Sequence, residues 1–367
     1  GTGNRDLGSQ TLSNQFDIFA FFDFRGSNAG WTGSLEVGNR TSDNDLDRRH
    51  FVRFGDDDGL ASLAVGASNA VVLRHDATLQ AHGGLVTVGN LYSDGDSGGA
   101  DGYFGSQLVT NAFVENGGTV AGTLTVFQTV SNATFNAVIR DGTYYSPLAT
   151  NLPAAALNLI KDGAGVFNTV ASNYYTGTTL VRDGLLRVNG SHAGGGLYTI
   201  DAGGTLGGTG LIQSAGVVVL DGGTLAPGNS PGTLTVNANL AFSNSAILSF
   251  ELNASNMVAG LGINDLVTGV GDLRLDGVLN VAWAGDILSE VNDGDYWTLF
   301  QYGGLLEDCG VDLSSLPDIS GLGLYWYIDT VSVANTVGLA VVIPEPSTWV
   351  LLALGMGVVV GLARRRR

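Results

Sequence analysis

Gly203-Gly204-Thr205-Leu206 returns nineteen residues later as Gly222-Gly223-Thr224-Leu225, and Asp183-Gly184-Leu185-Leu186 precedes the first copy by about the same interval. A unit of 19–20 residues cannot bury an apolar face alone, so a period of that length implies stacking of one copy on the next. Looser copies are Gly117-Gly118-Thr119-Val120 and Gly232-Thr233-Leu234. Each delivers a turn into a short segment of alternating polarity. In Thr233-Leu234-Thr235-Val236-Asn237, Leu234 and Val236 share one face. Between Ile247 and Leu252, Leu248, Phe250 and Leu252 oppose Ser249 and Glu251. The reading is an all-β chain forming an elongated right-handed parallel β-helix, or solenoid, with coils about 4.8 Å apart and glycines at the corners. Periodicity does not fix strand direction, so two antiparallel sandwiches remain the competing arrangement.

Composition agrees with short strands and tight turns. Glycine supplies 56 of 367 residues, charged residues are 14% and apolar residues 44%. Lys161 is the only lysine, and the formal charge is −18. Without the last four arginines, twelve basic residues face 34 acidic ones. Such a surface repels nucleic acid and anionic lipid. The single Cys309 cannot form an internal disulfide, and a small buried apolar role is expected for it. Rigidity must then come from repeated hydrogen bonding. Three parts are expected: residues 1–110, an N-terminal part of the solenoid with longer acidic loops; 111–340, the repeat-bearing solenoid; and 341–367, a tail. A separate small β-domain is the other reading of the first part. Ala154-Ala155-Ala156-Leu157 suits one helical turn, and the stretch from Glu307 to Leu324 is expected to close the stack.

The tail has three ordered features. Pro344-Glu345-Pro346-Ser347-Thr348 is followed by fifteen uncharged residues from Trp349 to Ala363, then by Arg364, Arg365, Arg366 and Arg367. As a helix, fifteen residues reach about 23 Å, and adding Ser347 and Thr348 brings the segment to the lower limit for a bilayer span. Arginines stay on the cytoplasmic side, so the body lies outside and Trp349 suits the outer interface. This arrangement resembles the PEP-CTERM sorting signal of Gram-negative bacteria, a tail also known as an ice-binding-protein C-terminal domain. The resemblance implies recognition by an exosortase-type membrane transpeptidase, transient anchoring in the inner membrane through a hydrophobic helix, removal of the tail, and passage to the cell surface or extracellular matrix. An uncleaved single-span anchor is the alternative. The chain opens at Gly1 without an initiator Met or a signal peptide, so an export signal is expected upstream.

A second resemblance lies in the body. Lys161-Asp162-Gly163-Ala164-Gly165-Val166-Phe167, followed by Asn173-Tyr174-Tyr175-Thr176-Gly177-Thr178-Thr179-Leu180-Val181-Arg182-Asp183-Gly184, is similar to the autotransporter-associated β-strand repeat. A looser copy is Asn28 to Val37. The corner Ala226-Pro227-Gly228-Asn229-Ser230-Pro231-Gly232 and the closing segments Asn264 to Val267 and Gly294 to Phe300 resemble parts of the same passenger stems. Autotransporters end in a membrane β-barrel of many strands. Here the sorting tail stands in that place.

Hidden chemistry is sparse. His50, His75, His82 and His192 show no metal-ligand spacing and read as scattered surface or strand histidines. A Gly-x-Ser-x-Gly elbow is absent. Acidic turns occur at Asp43, Asp45 and Asp47, at Asp56-Asp57-Asp58, and at Asp94, Asp96 and Asp101. The last trio is the candidate for a Ca2+ site, against the reading of solvated charged turns; no other cofactor is expected. A carbohydrate-active β-helix enzyme, a polysaccharide lyase or hydrolase, is the alternative function. Its nominees are Arg53 near Asp56, and Arg140 beside Asp141. An ice-binding face would need ranks of Thr-x-Thr, and only Thr123-Leu124-Thr125 and Thr233-Leu234-Thr235 occur. The favoured reading is a non-catalytic structural or adhesive surface protein whose partners are the transpeptidase and extracellular polysaccharide or cell envelope.

Overall fold

From Leu157–Asp162 to Leu273–Leu275 each strand pairs, in parallel, with the strand three places later in the chain. The computed structural model describes residues 11–12, 19–24, 35–37, 49–54, 62–64, 70–73, 77–93, 112–130, 133–145 and 151–343, those before 70 and residues 133, 144, 145, 151 and 152 by backbone alone. Pairing of every third strand means that three short strands make one turn, each on its own face. One face is a ten-stranded sheet from Ser62–Ala64 to Leu306–Asp308. The second is a seven-stranded sheet from Ala133–Phe135 to Val278–Ala284. An eight-stranded sheet starting at Ser172–Asn173 makes the third. This is the connectivity of a parallel β-solenoid, and it removes the antiparallel sandwiches from consideration. Ten strands at the usual spacing extend about 43 Å.

The period seen in the sequence is the length of a coil. Lys161, Val181, Ile200 and Val219 pair in succession, 19 or 20 residues apart. The Gly-Gly-Thr-Leu copies lie directly over one another, with Thr205 on Thr224 and Leu206 on Leu225, and Gly184-Leu185-Leu186 lies over Gly204-Thr205-Leu206. Gly184 has φ +65°, and a Cβ there would run into the carbonyls of Gly163 and Gly165 in the coil above. Only glycine fits that corner. The looser copies do not share this register. Gly117 to Val120 forms the turn before the strand Gly122–Phe127, and Thr233-Leu234 falls on the third face because the Pro227–Gly232 corner intervenes.

Alternation places one apolar residue of each strand over its equivalents. Phe167, Leu186, Leu206, Leu225, Leu248 and Leu279 form one continuous buried ladder. Val88, Val126, Lys161, Val181, Ile200, Val219 and Phe242 form another. Each buried aliphatic side chain contributes about 1.5–3 kcal/mol relative to exposure.

Toward the C-terminus coils lengthen to 33 residues, as Leu240 pairs with Leu273 and Leu273 with Leu306. The extra residues form loops 254–265 and 285–295, both between the second and third faces; the latter contains the short helix Ile287–Glu290. Before Lys161 the coils are also long, Val126 lying 35 residues from its partner. The ten-stranded sheet passes without a break across residue 110.

Closure differs in extent from the sequence expectation. Leu316, Ile319 and Leu324 do plug the end, but the cover continues through Tyr325–Asp329 and Thr336–Val342, which pair antiparallel beneath Tyr296–Tyr302. Trp283, Trp297 and Trp326 pack against one another there, with centroids 5.2–6.1 Å apart. An antiparallel return turns the terminal strand away from further parallel stacking. Two smaller expectations fail. Ala154 to Ala156 is not helical, since Leu157 already begins a strand. Cys309 is exposed, because Leu306–Asp308 is the edge strand of its face among the described residues, and its thiol points to Glu307 Oε1 at 3.8 Å. Among the described residues no helix is long and apolar enough to cross a membrane. The segment expected to do so, 349–363, lies outside them.

Candidate functional site

Polar side chains inside the solenoid are held by backbone and by one another. The strand Leu157–Asp162 alternates buried and half-buried residues, so Leu157, Leu159 and Lys161 all point inward. Lys161 is fully buried, and its Nζ donates to the carbonyls of Asp162 at 3.0 Å, Gly163 at 2.6 Å and Asp183 at 2.8 Å. Burial pushes its pKa down to about 8, against the attraction of Asp183 and Asp162. One coil on, His192 stacks on Tyr175 at 4.0 Å and bonds to Tyr198, while the Tyr175 hydroxyl meets Thr179 Oγ1 at 2.6 Å. Burial raises Tyr175 to about 12 and lowers His192. A cavity of about 10 Å³ opens among these rings, room for a single water and nothing larger. His82 and His192 are both buried; His192 lies in the strand Ser191–Ala193, one of the two placements expected, whereas His82 sits in a buried turn.

The carboxylates are likewise occupied. Glu115 is buried between Gln80, which donates at 2.7 Å, and Arg140, whose Nε donates at 2.7 Å. Arg140 also lies 3.5 Å over the Phe113 ring. The nominated Arg140–Asp141 pair is not formed: Asp141 accepts from Thr176 and from the Leu157 amide. Asp265 accepts the Gly232 and Glu251 amides at 2.7 Å each, and desolvation raises its pKa to about 6. Beside it, Asn264 binds the Asn253 amide and the carbonyls of Asn256 and Val258, pinning the 254–265 loop. Among the described residues no group of three or more His, Cys, Asp or Glu is arranged to hold a metal.

Outward, a hydrogen-bonded ladder starts on the second face and runs on into the corner after it. Thr134, Asn168, Asn189, Thr209 and Asn229 link in sequence at 2.9–3.5 Å, one residue per coil. The two Thr-x-Thr segments fall on different faces, Thr123 and Thr125 on the first, Thr233 and Thr235 on the third, so they make no common rank.

Several sequence candidates lie outside the described residues: Asp94, Asp96 and Asp101, Asp56, and the whole of Pro344 to Thr348 and Arg364 to Arg367; Arg53 is described by its backbone alone. The last described residue is Ile343, whose amide donates to Asp293 Oδ1 at 2.8 Å. The buried polar groups do not stand out as such in the sequence. Their signal is present in part: Lys161 sits two and four residues after Leu159 and Leu157, on the apolar phase of a period of two.

Residues 342–367 match the PEP-CTERM protein-sorting motif. A segment of the chain is 43% identical over 109 residues to the adhesin BmaC autotransporter of Brucella suis biovar 1 (strain 1330). That segment is 28% of this chain and 3% of the adhesin, so the chain spans a small fraction of the curated relative it matches. The chain thus joins a segment similar to an autotransporter adhesin to a C-terminal PEP-CTERM sorting motif.

Proposed function

We propose that this chain is a non-catalytic structural or adhesive protein, exported and displayed at the cell surface or in the extracellular matrix. The carrying observation is the match of residues 342–367 to a protein-sorting motif, beginning where the closed parallel stack ends. In this reading residues 1–110 and 111–340 form one right-handed solenoid, the first part with longer acidic loops. Pro344, Glu345, Pro346, Ser347 and Thr348 are recognised by an exosortase-type transpeptidase. The apolar segment holds the precursor transiently in the inner membrane, with Arg364 to Arg367 in the cytoplasm. The body then engages envelope or extracellular polysaccharide through its outer corners. Similarity to an adhesin, and occupied carboxylates among the described residues, support a binding role over catalysis. No cofactor is needed. EDTA is expected to leave Tm unchanged, and a fall reversed by Ca2+ assigns a structural ion to Asp94, Asp96 and Asp101.

The direct test replaces Pro344, Glu345 and Pro346 with alanine. The full-length form is expected to accumulate in the inner membrane. Normal processing and surface delivery of that variant would refute the reading.

A further inference from the structure

Among the described residues seventeen large apolar side chains are exposed, and seven of them fall within residues 322–343. They surround one element. Tyr325–Asp329 is the edge strand of its sheet and the last rung of the stack. Trp326 and Ile328 pack against the core, while Tyr325 and Tyr327 face out on the same side. Val342 pairs with Tyr325 and Ala340 with Tyr327, so these share that outer side, and Val342 is itself exposed. Leu322 precedes the strand and Val331 follows it, both largely exposed at 55% and 86%. Ile343, also exposed, is tied to Asp293 and marks the point from which the tail departs.

Chain length sets how far this rung can be from the tail. Six residue steps separate Ile343 from Trp349. Fully extended, they reach at most about 20 Å. We infer that, while the precursor is anchored, this terminal rung rests on the surface of a zwitterionic phospholipid bilayer. The inference rests on the proposed insertion of residues 349–363 and adds to it a seat for the body. The headgroup layer suits the chemistry. Tyrosines offer an apolar ring with a polar tip, and the open backbone edge of Tyr325–Asp329 needs polar partners that hydrocarbon lacks. Exposed Asp293 and Asp318 beside the rung, on a chain of net charge −18, select against anionic lipid.

The test uses the full chain reconstituted with phosphatidylcholine vesicles, with flotation and hydrogen exchange as readouts. Wild type is expected to float, with exchange of amides 325–329 slowed at least about tenfold relative to the same chain in detergent. The double variant Tyr325→Asp, Tyr327→Asp is expected to float equally but to lose that protection. Flotation with unchanged exchange at 325–329 overturns the seat and leaves the tail reading intact. Failure of wild type to float overturns both. The variant Leu352→Asp, Val359→Asp must lose flotation, which ties attachment to the tail. Protection that appears without vesicles and grows with protein concentration assigns the rung to a second copy. Protection that appears only with a neutral glycan assigns it to polysaccharide. Either result overturns the lipid seat.

Discussion

Tyr198 donates its hydroxyl hydrogen to Nδ1 of His192 at 2.7 Å, in the interior of the solenoid. The opposite nitrogen, Nε2, lies 2.8 Å from the carbonyl of Tyr175. A carbonyl only accepts, so Nε2 carries the hydrogen and Nδ1 is the acceptor of a neutral ring. A second ring proton would face the tyrosine hydroxyl that now donates to it. Desolvation lowers the His192 pKa, against the Tyr175 carbonyl and the charge of Asp141.

The pH dependence follows in sign. Below the ordinary value of 6.5 the unfolded chain takes up a proton that folded His192 still refuses, so stability falls with pH until the folded ring also titrates. Tm measured from pH 7.5 to 6, above the range in which Asp265 titrates, is expected to decline. His192→Phe is expected to remove that component while lowering Tm throughout, since it strips partners from Tyr198 and Tyr175. Equal slopes for the two proteins would show that the ring is not the proton acceptor.

What sequence reveals here depends on whether a residue repeats. Gly184, Gly204 and Leu206 recur at coil spacing, so their stacking is legible in the order of residues alone. His192 and Glu115 have no such repeats. Their burial depends on which partners the neighbouring coils supply: Tyr175 and Tyr198 for the first, Gln80 and Arg140 for the second. No local pattern announces a pairing such as Tyr175 with His192 or Gln80 with Glu115, 17 and 35 residues apart. Thr233-Leu234 misleads for a related reason, as an inserted corner moves a familiar phrase to another face.

The leucine ladder makes a direct prediction. Leu206 lies between Leu186 and Leu225 and is fully buried. Leu206→Ala leaves a cavity that stacked coils on both sides cannot fill, and a loss of about 2–5 kcal/mol is expected in urea unfolding. Leu261→Ala, at a site 84% exposed, serves as control and is expected to change stability by no more than about 0.5 kcal/mol. Comparable effects at the two sites would contradict the stacked core.

Asp265 gives the opposite pH sign to His192. Desolvation raises its pKa from 3.8 to about 6, with Glu251 adding to the shift and the Glu251 and Gly232 amides opposing it. Between those values the folded chain holds a proton that the unfolded chain has released, so stability falls as pH rises. Asp265→Asn is expected to abolish that slope. It is also expected to cost about 1–3 kcal/mol at pH 7, because an amide has one oxygen for the two backbone donors that the carboxylate serves. An unchanged slope between pH 4 and 6 in the variant would count against Asp265 as its source.

Lys161 closes the set because its charge and its hydrogen bonds pull in different directions. Its three Nζ donors match three backbone carbonyls, and Lys161→Met removes all three bonds from the ladder between Val126 and Val181. Methionine fills similar volume but donates nothing, so a loss of at least about 2 kcal/mol is expected at pH 7. Above pH 8 the balance changes. Folded Lys161 gives up its proton near pH 8 while the unfolded chain keeps one to 10.5, so wild type gains stability with rising pH in that window. The gap between wild type and Lys161→Met, followed by urea unfolding from pH 7 to 10, is therefore expected to widen. A constant gap would mean that the buried amine keeps its ordinary pKa, with the three carbonyls holding the ammonium as firmly as water does.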